Sequence, residues 1–178
     1  GGELPPAGAV VDPKVEHSTY PNRELTSSGL ALQLARAVAG ARDIPDAYVL
    51  RAFLDLAALG TVADVAELIG ENRALVTLGL KHLAQTKKLG LRTLMSLCQV
   101  NGRPRAMDIG FRLAPRMNAA GRLADPGPAL QLLLTDDQDE ANRAALHLDS
   151  LNRQRQGEQS TICDEARAMV ERDIDLDH

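Results

Sequence analysis

The carboxylates between Phe53 and Arg73 are the first candidates for chemistry. In FLDLAALGTVADVAELIGENR, Asp55 falls inside an apolar run, Glu67 and Glu71 fall in more polar sequence, and Asp64 stands between Ala63 and Val65 with no basic neighbour nearby. A carboxylate in apolar surroundings requires a cation or several hydrogen-bond donors, and a bound metal is one such answer. Asp is also a common turn and cap residue, and a structural Asp64 is the plain alternative. The four histidines, His17, His82, His147 and His178, are scattered and never adjacent. Cys98 and Cys163 have no C-x-x-C spacing, so they read as reduced thiols rather than a metal site or disulfide.

A second candidate is cationic. Between Arg103 and Arg122 there are five arginines and one acid, Asp108, in a chain whose net charge is −4. That asymmetry can draw an anionic ligand to one surface while the remainder repels it. Within APRMNAAGR, guanidinium groups at Arg116 and Arg122 offer paired donors to a phosphate, Arg112 and Asn118 lie close by, and Ala119, Ala120 and Gly121 let a strand approach. The alternative is that Arg112 and Arg116 pair with Asp108 or other surface acids. Phe111 is the one aromatic nearby, so this segment is expected to hold a nucleic-acid backbone rather than stack bases.

DLAALGTVADVAELIGENRALVTLGL and DIGFRLAPRMNAAGRLADPGPALQLLLTDD resemble the RecJ single-strand-specific exonucleases of the DHH phosphoesterase superfamily, with looser similarity from about Val10 to Arg155. The resemblance implies 5′-to-3′ hydrolysis of single-stranded DNA in repair and recombination, with two divalent ions, Mn²⁺ or Mg²⁺. It makes Asp64 a metal ligand and catalytic residue, and Arg112, Arg116, Asn118 and Arg122 nucleic-acid contacts. It also implies single-stranded DNA as partner, with repair or single-strand-binding proteins as possible further ones. The family's Asp-x-Asp and Asp-His-His motifs normally lie upstream of this segment, and no Asp-His-His occurs in the sequence, so the chain resembles a piece beginning after Asp-His-His and is expected to be inactive by itself. Thr26-Ser27-Ser28-Gly29 stands where the family has a glycine-rich entry. Alternatives are another oligonucleotide or cyclic-dinucleotide phosphodiesterase of the superfamily, or a non-catalytic helical interaction module.

The elements that must position these residues are mostly helices. Hydrophobic residues make up 44% and aromatics only 2%, so the core must be Leu, Ala and Val, which suits closely approaching helices. The expected fold is mainly α with one or two short strands, Val10-Val11 being a candidate. The resemblance makes it the C-terminal part of an α/β DHH domain over 1–135, with a connector helix toward a second domain over 136–178. A Ser27 or Ser28 cap begins a helix to Gly40 with Leu30, Leu34, Ala37 and Val38 inward. Pro45 opens a helix with Tyr48, Phe53, Leu56 and Leu59 in the core, stopped by Gly60 so that a break at 61–68 presents Asp64. Glu71–Leu83 follows with Leu75, Leu78 and Leu83 inward, then Leu91–Val100. A helix from Ala106 must end or kink at Pro115. Ala129–Leu134 is short, and Thr135 with Gln138 opens a last helix in capping-box spacing, with Ala141, Ala144, Ala145, Leu148 and Leu151 apolar and 152–161 polar all round. No secretion signal or membrane-length apolar run is evident, and reduced thiols favour a cytoplasmic setting.

Overall fold

The computed structural model describes residues 6–123 and 125–173, with the side chains of Arg122, Leu123 and Asp173 outside the description. The regular structure of these residues is helical throughout. Val10 and Val11 lie exposed and form no strand, because a strand requires a neighbour to pair with and the described residues offer none.

The chain divides into two units, each with its own core. The first comprises the residues up to Thr86 together with Gly102–Gly110. It is built on α1 (Ser27–Gly40), α2 (Asp46–Ala63) and α3 (Gly70–Leu83), with α2 packed against both others. Leu25, Leu32, Ala39, Val49, Leu54, Ala57, Ala58 and Leu75 form the core. Small residues let the helices close up: a Cβ added at Gly79 would meet the Leu54 carbonyl oxygen at 2.6 Å, as well as Ala58. The short α5 (Ala106–Asp108) also belongs to this unit.

The expected inward faces of the first unit are partly reversed. Leu34 and Val38 on α1, Tyr48 and Phe53 on α2, and Leu78 on α3 are exposed, as is Ala37. Leu59, Leu75 and Leu83 are buried as expected, and beside the large core residues the small Gly29, Ala39, Ala57 and Ala58 are buried too, since close helix approach admits small side chains. Thr26, one residue before the expected caps, closes α1 by accepting a hydrogen bond from the Gly29 amide at 3.2 Å.

The second unit comprises Lys87–Asn101 together with the residues from Phe111 on. Here α4 (Leu89–Leu97), α6 (Ala114–Leu123) and α7 (Gly127–Leu134) pack on the first half of α8 (Gln138–Asp173). Leu91, Leu94, Leu113, Ala119, Ala120, Leu132, Ala141, Ala145 and Leu148 are buried. Pro115 does not end the helical path, because a π-helical turn at Ile109–Leu113 precedes it and Pro115 falls in the first turn of α6, where a missing amide is tolerated. The cap of α8 is displaced from its expected frame: Asp137, not Thr135, accepts from the amide three residues on, Glu140 N at 2.7 Å. Thr135 instead accepts from Asp137 N at 3.1 Å and donates to the Glu140 carboxylate. Hydrogen bonds from Thr135 and Gln131 hold the Glu140 carboxyl below its ordinary range. Asn152, expected on a wholly polar stretch, is buried, whereas α8 from Gln156 to Arg172 is exposed. Among the described residues no helix is long and apolar enough to cross a membrane.

Candidate functional site

Asp64 closes α2. The helix does not stop at Gly60 but runs on to Ala63, because Gly60 faces Ser28, whose Cβ lies 2.6 Å from where a Gly60 Cβ would stand. Asp64 is therefore the C-cap residue, at φ −85° and ψ 2°, and its side chain is exposed. The expectation of a carboxylate in apolar surroundings is corrected. The buried acid of this stretch is Asp55, which accepts a hydrogen bond from Thr86 Oγ1 at 2.7 Å.

The turn around Asp64 is tied down from both sides. Ala66 N donates back to the Thr61 carbonyl at 3.3 Å and Val65 N to the Val62 carbonyl at 3.1 Å, the paired closure of a Schellman motif. Thr61 is fully buried, donates to the Ala57 carbonyl at 2.8 Å and lies 3.1 Å from the Thr26 hydroxyl. Beyond the turn, Asn72, also fully buried, donates to the carbonyls of Glu67 at 3.1 Å and Glu24 at 2.9 Å. Asn22 donates to the Asn72 side-chain oxygen at 3.1 Å, so all of that amide's functions but one acceptor site are engaged. A carboxylate oxygen of this kind suits a hard divalent cation. Among the described residues, however, no three His, Cys, Asp or Glu side chains gather into a metal site, so Asp64 fits as one ligand and not as a set.

Arg116 pairs with an acid, as the alternative reading of the sequence had it, but that acid is the buried Asp149. Arg116 Nε donates to Asp149 Oδ1 at 2.8 Å and its terminal nitrogen to the Arg112 carbonyl at 2.7 Å. Arg153 contacts the other oxygen of Asp149 at 2.5 Å. Asp149 is 4% exposed, so one buried carboxylate receives two guanidinium groups and the cluster keeps one net positive charge. Asp108 accepts from the Arg105 amide at 2.9 Å and lies 3.5 Å from the Arg105 guanidinium. Arg112 is exposed and donates to the Gln99 carbonyl at 3.3 Å. Asn118 is exposed on α6, and the side chain of Arg122 lies outside the described residues. Cys98, whose thiol reaches the Arg112 carbonyl at 3.6 Å, is pushed above its ordinary pKa by burial, with Arg116 acting in the opposite sense.

Asp149 was legible in principle. It sits four residues after Ala145 on the apolar stripe of α8, and Asn152 continues the same row, so polar residues at core spacing marked a buried polar cluster. Thr61 carried no comparable signal, since its importance depends on Thr26, 35 residues away.

No protein-family model matches the chain. The single-stranded-DNA-specific exonuclease RecJ of Bacillus subtilis is 44% identical over 172 residues, which are 96% of this chain and 21% of that relative. A solved structure of RecJ from Thermus thermophilus in complex with Mn²⁺ is 40% identical, with a TM-score of 0.73 over 79% of this chain and 21% of that one. A structure of exonuclease RecJ bound to manganese is 39% identical, with a TM-score of 0.81 over 92% of this chain and 41% of that one. The chain thus spans about a fifth of the length of its Bacillus relative. Over most of its own length, this chain is homologous to one segment of the RecJ single-stranded-DNA-specific exonucleases.

Proposed function

We propose that the chain is a segment of a RecJ-like exonuclease that degrades single-stranded DNA from the 5′ end in repair and recombination, with residues 1–135 completing a catalytic domain and 136–178 connecting it to another. The observation that carries this reading is identity of 44% along 96% of the chain with a protein named for that activity. The manganese- and magnesium-bound structures of its relatives support a divalent-metal site, which in this reading holds two ions. Two ions held there would supply activation of an attacking water and charge neutralisation at a leaving oxygen. Asp64 contributes one ligand oxygen, and residues outside this chain contribute the others. Arg112 and Asn118, both exposed, hold the DNA backbone together with Arg122. Arg116 lends charge to the same surface while anchored to Asp149. The reading places it in the cytoplasm, where reduced thiols such as those of Cys98 and Cys163 persist.

The test is Asp64→Asn in the full-length protein, with cleavage of a 5′-labelled single-stranded oligonucleotide as the readout. Loss of cleavage should exceed the roughly 10–100-fold that loss of a ligand's supporting partner brings. Activity within a few-fold of normal would make Asp64 a helix cap and nothing more.

A further inference from the structure

We infer that Phe111 is a stacking platform for one unpaired base of the DNA, beside the backbone contacts given to Arg112 and Asn118. The inference rests on the RecJ-like reading above and adds to it a contact that a single strand can make and a duplex cannot. Phe111 is 77% exposed, which makes it the most exposed aromatic side chain among the described residues. The apolar residues that follow it, Leu113 and Ala114, are buried, so the core takes its neighbours and leaves the ring in solvent.

The local backbone accounts for that display. Pro115 has no amide to offer the carbonyl four residues back, which is that of Phe111, and the helical path widens there into the π turn at Ile109–Leu113. A π turn carries an extra residue and so rotates side chains away from the regular faces of the helix. The turn is also held in place. The Arg112 carbonyl, one residue after Phe111, accepts from the Arg116 guanidinium at 2.7 Å and is reached by the Cys98 thiol at 3.6 Å. Arg116 is itself fixed by its 2.8 Å hydrogen bond to the buried Asp149. The ring therefore stands on a segment tied to the interior of its unit, and less order has to be gained when a ligand arrives.

Every base presents a π face, so an exposed aromatic ring receives a base without reading its identity. In a duplex the neighbouring base pairs cover those faces, whereas an unpaired strand leaves them open. Arg112, adjacent to Phe111 and also exposed, sets a cation beside the ring where the phosphate of the same strand would lie. One aromatic accommodates one base, so the segment holds backbone along its length and a base at this single point.

The test uses the full-length protein without divalent metal, so that binding is read apart from cleavage. Two labelled oligonucleotides of equal length, one of thymidines and one wholly abasic, are titrated by fluorescence anisotropy at several salt concentrations, and unfolding is followed by circular dichroism. Phe111→Ala should weaken binding of the thymidine strand by about 5- to 150-fold and leave binding of the abasic strand unchanged. The slope of log affinity against log salt should stay as it is, because no cation is removed. Phe111→Trp should bind the thymidine strand at least as tightly as the unaltered protein, and Phe111→Leu, apolar without a π face, should behave like Phe111→Ala. The unfolding temperature of Phe111→Ala should be nearly unchanged, since the side chain is exposed. Unaltered thymidine-strand affinity in Phe111→Ala overturns this inference alone, as does an equal loss on the abasic strand, which assigns the effect to the backbone path. Tight binding by Phe111→Leu assigns it to apolar contact, and a clear fall in unfolding temperature assigns Phe111 to packing; either result overturns the inference. An unaltered protein that fails to bind the thymidine strand overturns the RecJ-like reading beneath it.

Discussion

Removing Arg116 should destabilise the chain, and the size of the loss follows from where Asp149 lies. Losing one partner of a fully buried ion pair costs about 3–5 kcal/mol, because a charge is left buried without compensation. Two features reduce this here. Arg153 still reaches the second oxygen of Asp149, and the Arg116 side chain is 21% exposed, so water can replace part of what it provides. Arg116→Ala should therefore cost about 2 kcal/mol. For a chain of this size that corresponds to a fall of about 4–8 °C in unfolding temperature. Arg153→Ala, whose side chain is 77% exposed, should cost only about 0.3–0.5 kcal/mol. Urea unfolding followed by circular dichroism, with Asp149→Ala completing a double-mutant cycle, should return a coupling of about 1–2 kcal/mol between Arg116 and Asp149. If Arg116→Ala costs no more than Arg153→Ala, or the coupling is near zero, the buried-pair argument fails, and Arg116 is a surface cation available to phosphate.

Arg112→Ala in the full-length protein should leave stability nearly unchanged and lower the slope of log affinity against log salt by roughly one for single-stranded DNA of any sequence; an unaltered slope removes Arg112 from the interface. The 178-residue chain should show no nuclease activity, since a lone carboxylate does not compete with water for Mn²⁺, and robust metal-dependent cleavage by it would refute the single-ligand reading. Gly90→Ala should cost about 3 kcal/mol or prevent folding of the second unit, because its Cβ would overlap the backbone carbonyl oxygen of Leu132; a soluble variant of ordinary stability would show that α4 and α7 are not so close. Cys163, exposed, should react with a thiol reagent well before Cys98, which is buried. Burial raises the folded-state pKa of Cys98 above its ordinary 9.0, so its contribution to stability is complete below that value and is lost as pH rises through the folded pKa; Cys98→Ala should remove that part of the decline in urea midpoint on the alkaline side.

The helical elements were legible because their signals are local. Periodicity and the helix start at Pro45 depend on near neighbours in sequence, and six of the expected helices appear within a few residues of their predicted ends. The inward faces were less legible because large apolar residues are a poor guide to the core of closely packed helices. Leu34, Val38, Tyr48 and Phe53 outrank Gly29, Ala39, Ala57 and Ala58 in hydrophobicity, yet the small residues are buried and the large ones exposed. Gly60 misled for the same reason: a glycine inside a helix marks a close approach as readily as an end, and here the approach is to Ser28.

The candidate site divides along the same line. Asp64 was found by its flanking sequence, but the reason first given for it, a carboxylate strained by apolar surroundings, describes Asp55 instead. An exposed carboxylate at a helix C-cap gains nothing from the helix dipole, whose C-terminal end is negative. That placement disfavours Asp64 as a stabilising element, as the left-handed Val65 next to it disfavours the turn. A positively charged ligand at the carboxylate, as proposed above, would account for two adjacent residues that each work against stability, fixed between the buried hydroxyl of Thr61 and the buried amide of Asn72. A cation at Asp64 would reverse the sign of the dipole interaction, and such a gain appears only when the ligand is present. Raising Mn²⁺ should therefore raise the unfolding temperature of the full-length protein, and Asp64→Asn should reduce that rise while unfolding at an equal or higher temperature in the absence of metal. A rise of the same size in Asp64→Asn would leave both unfavourable placements without a functional explanation.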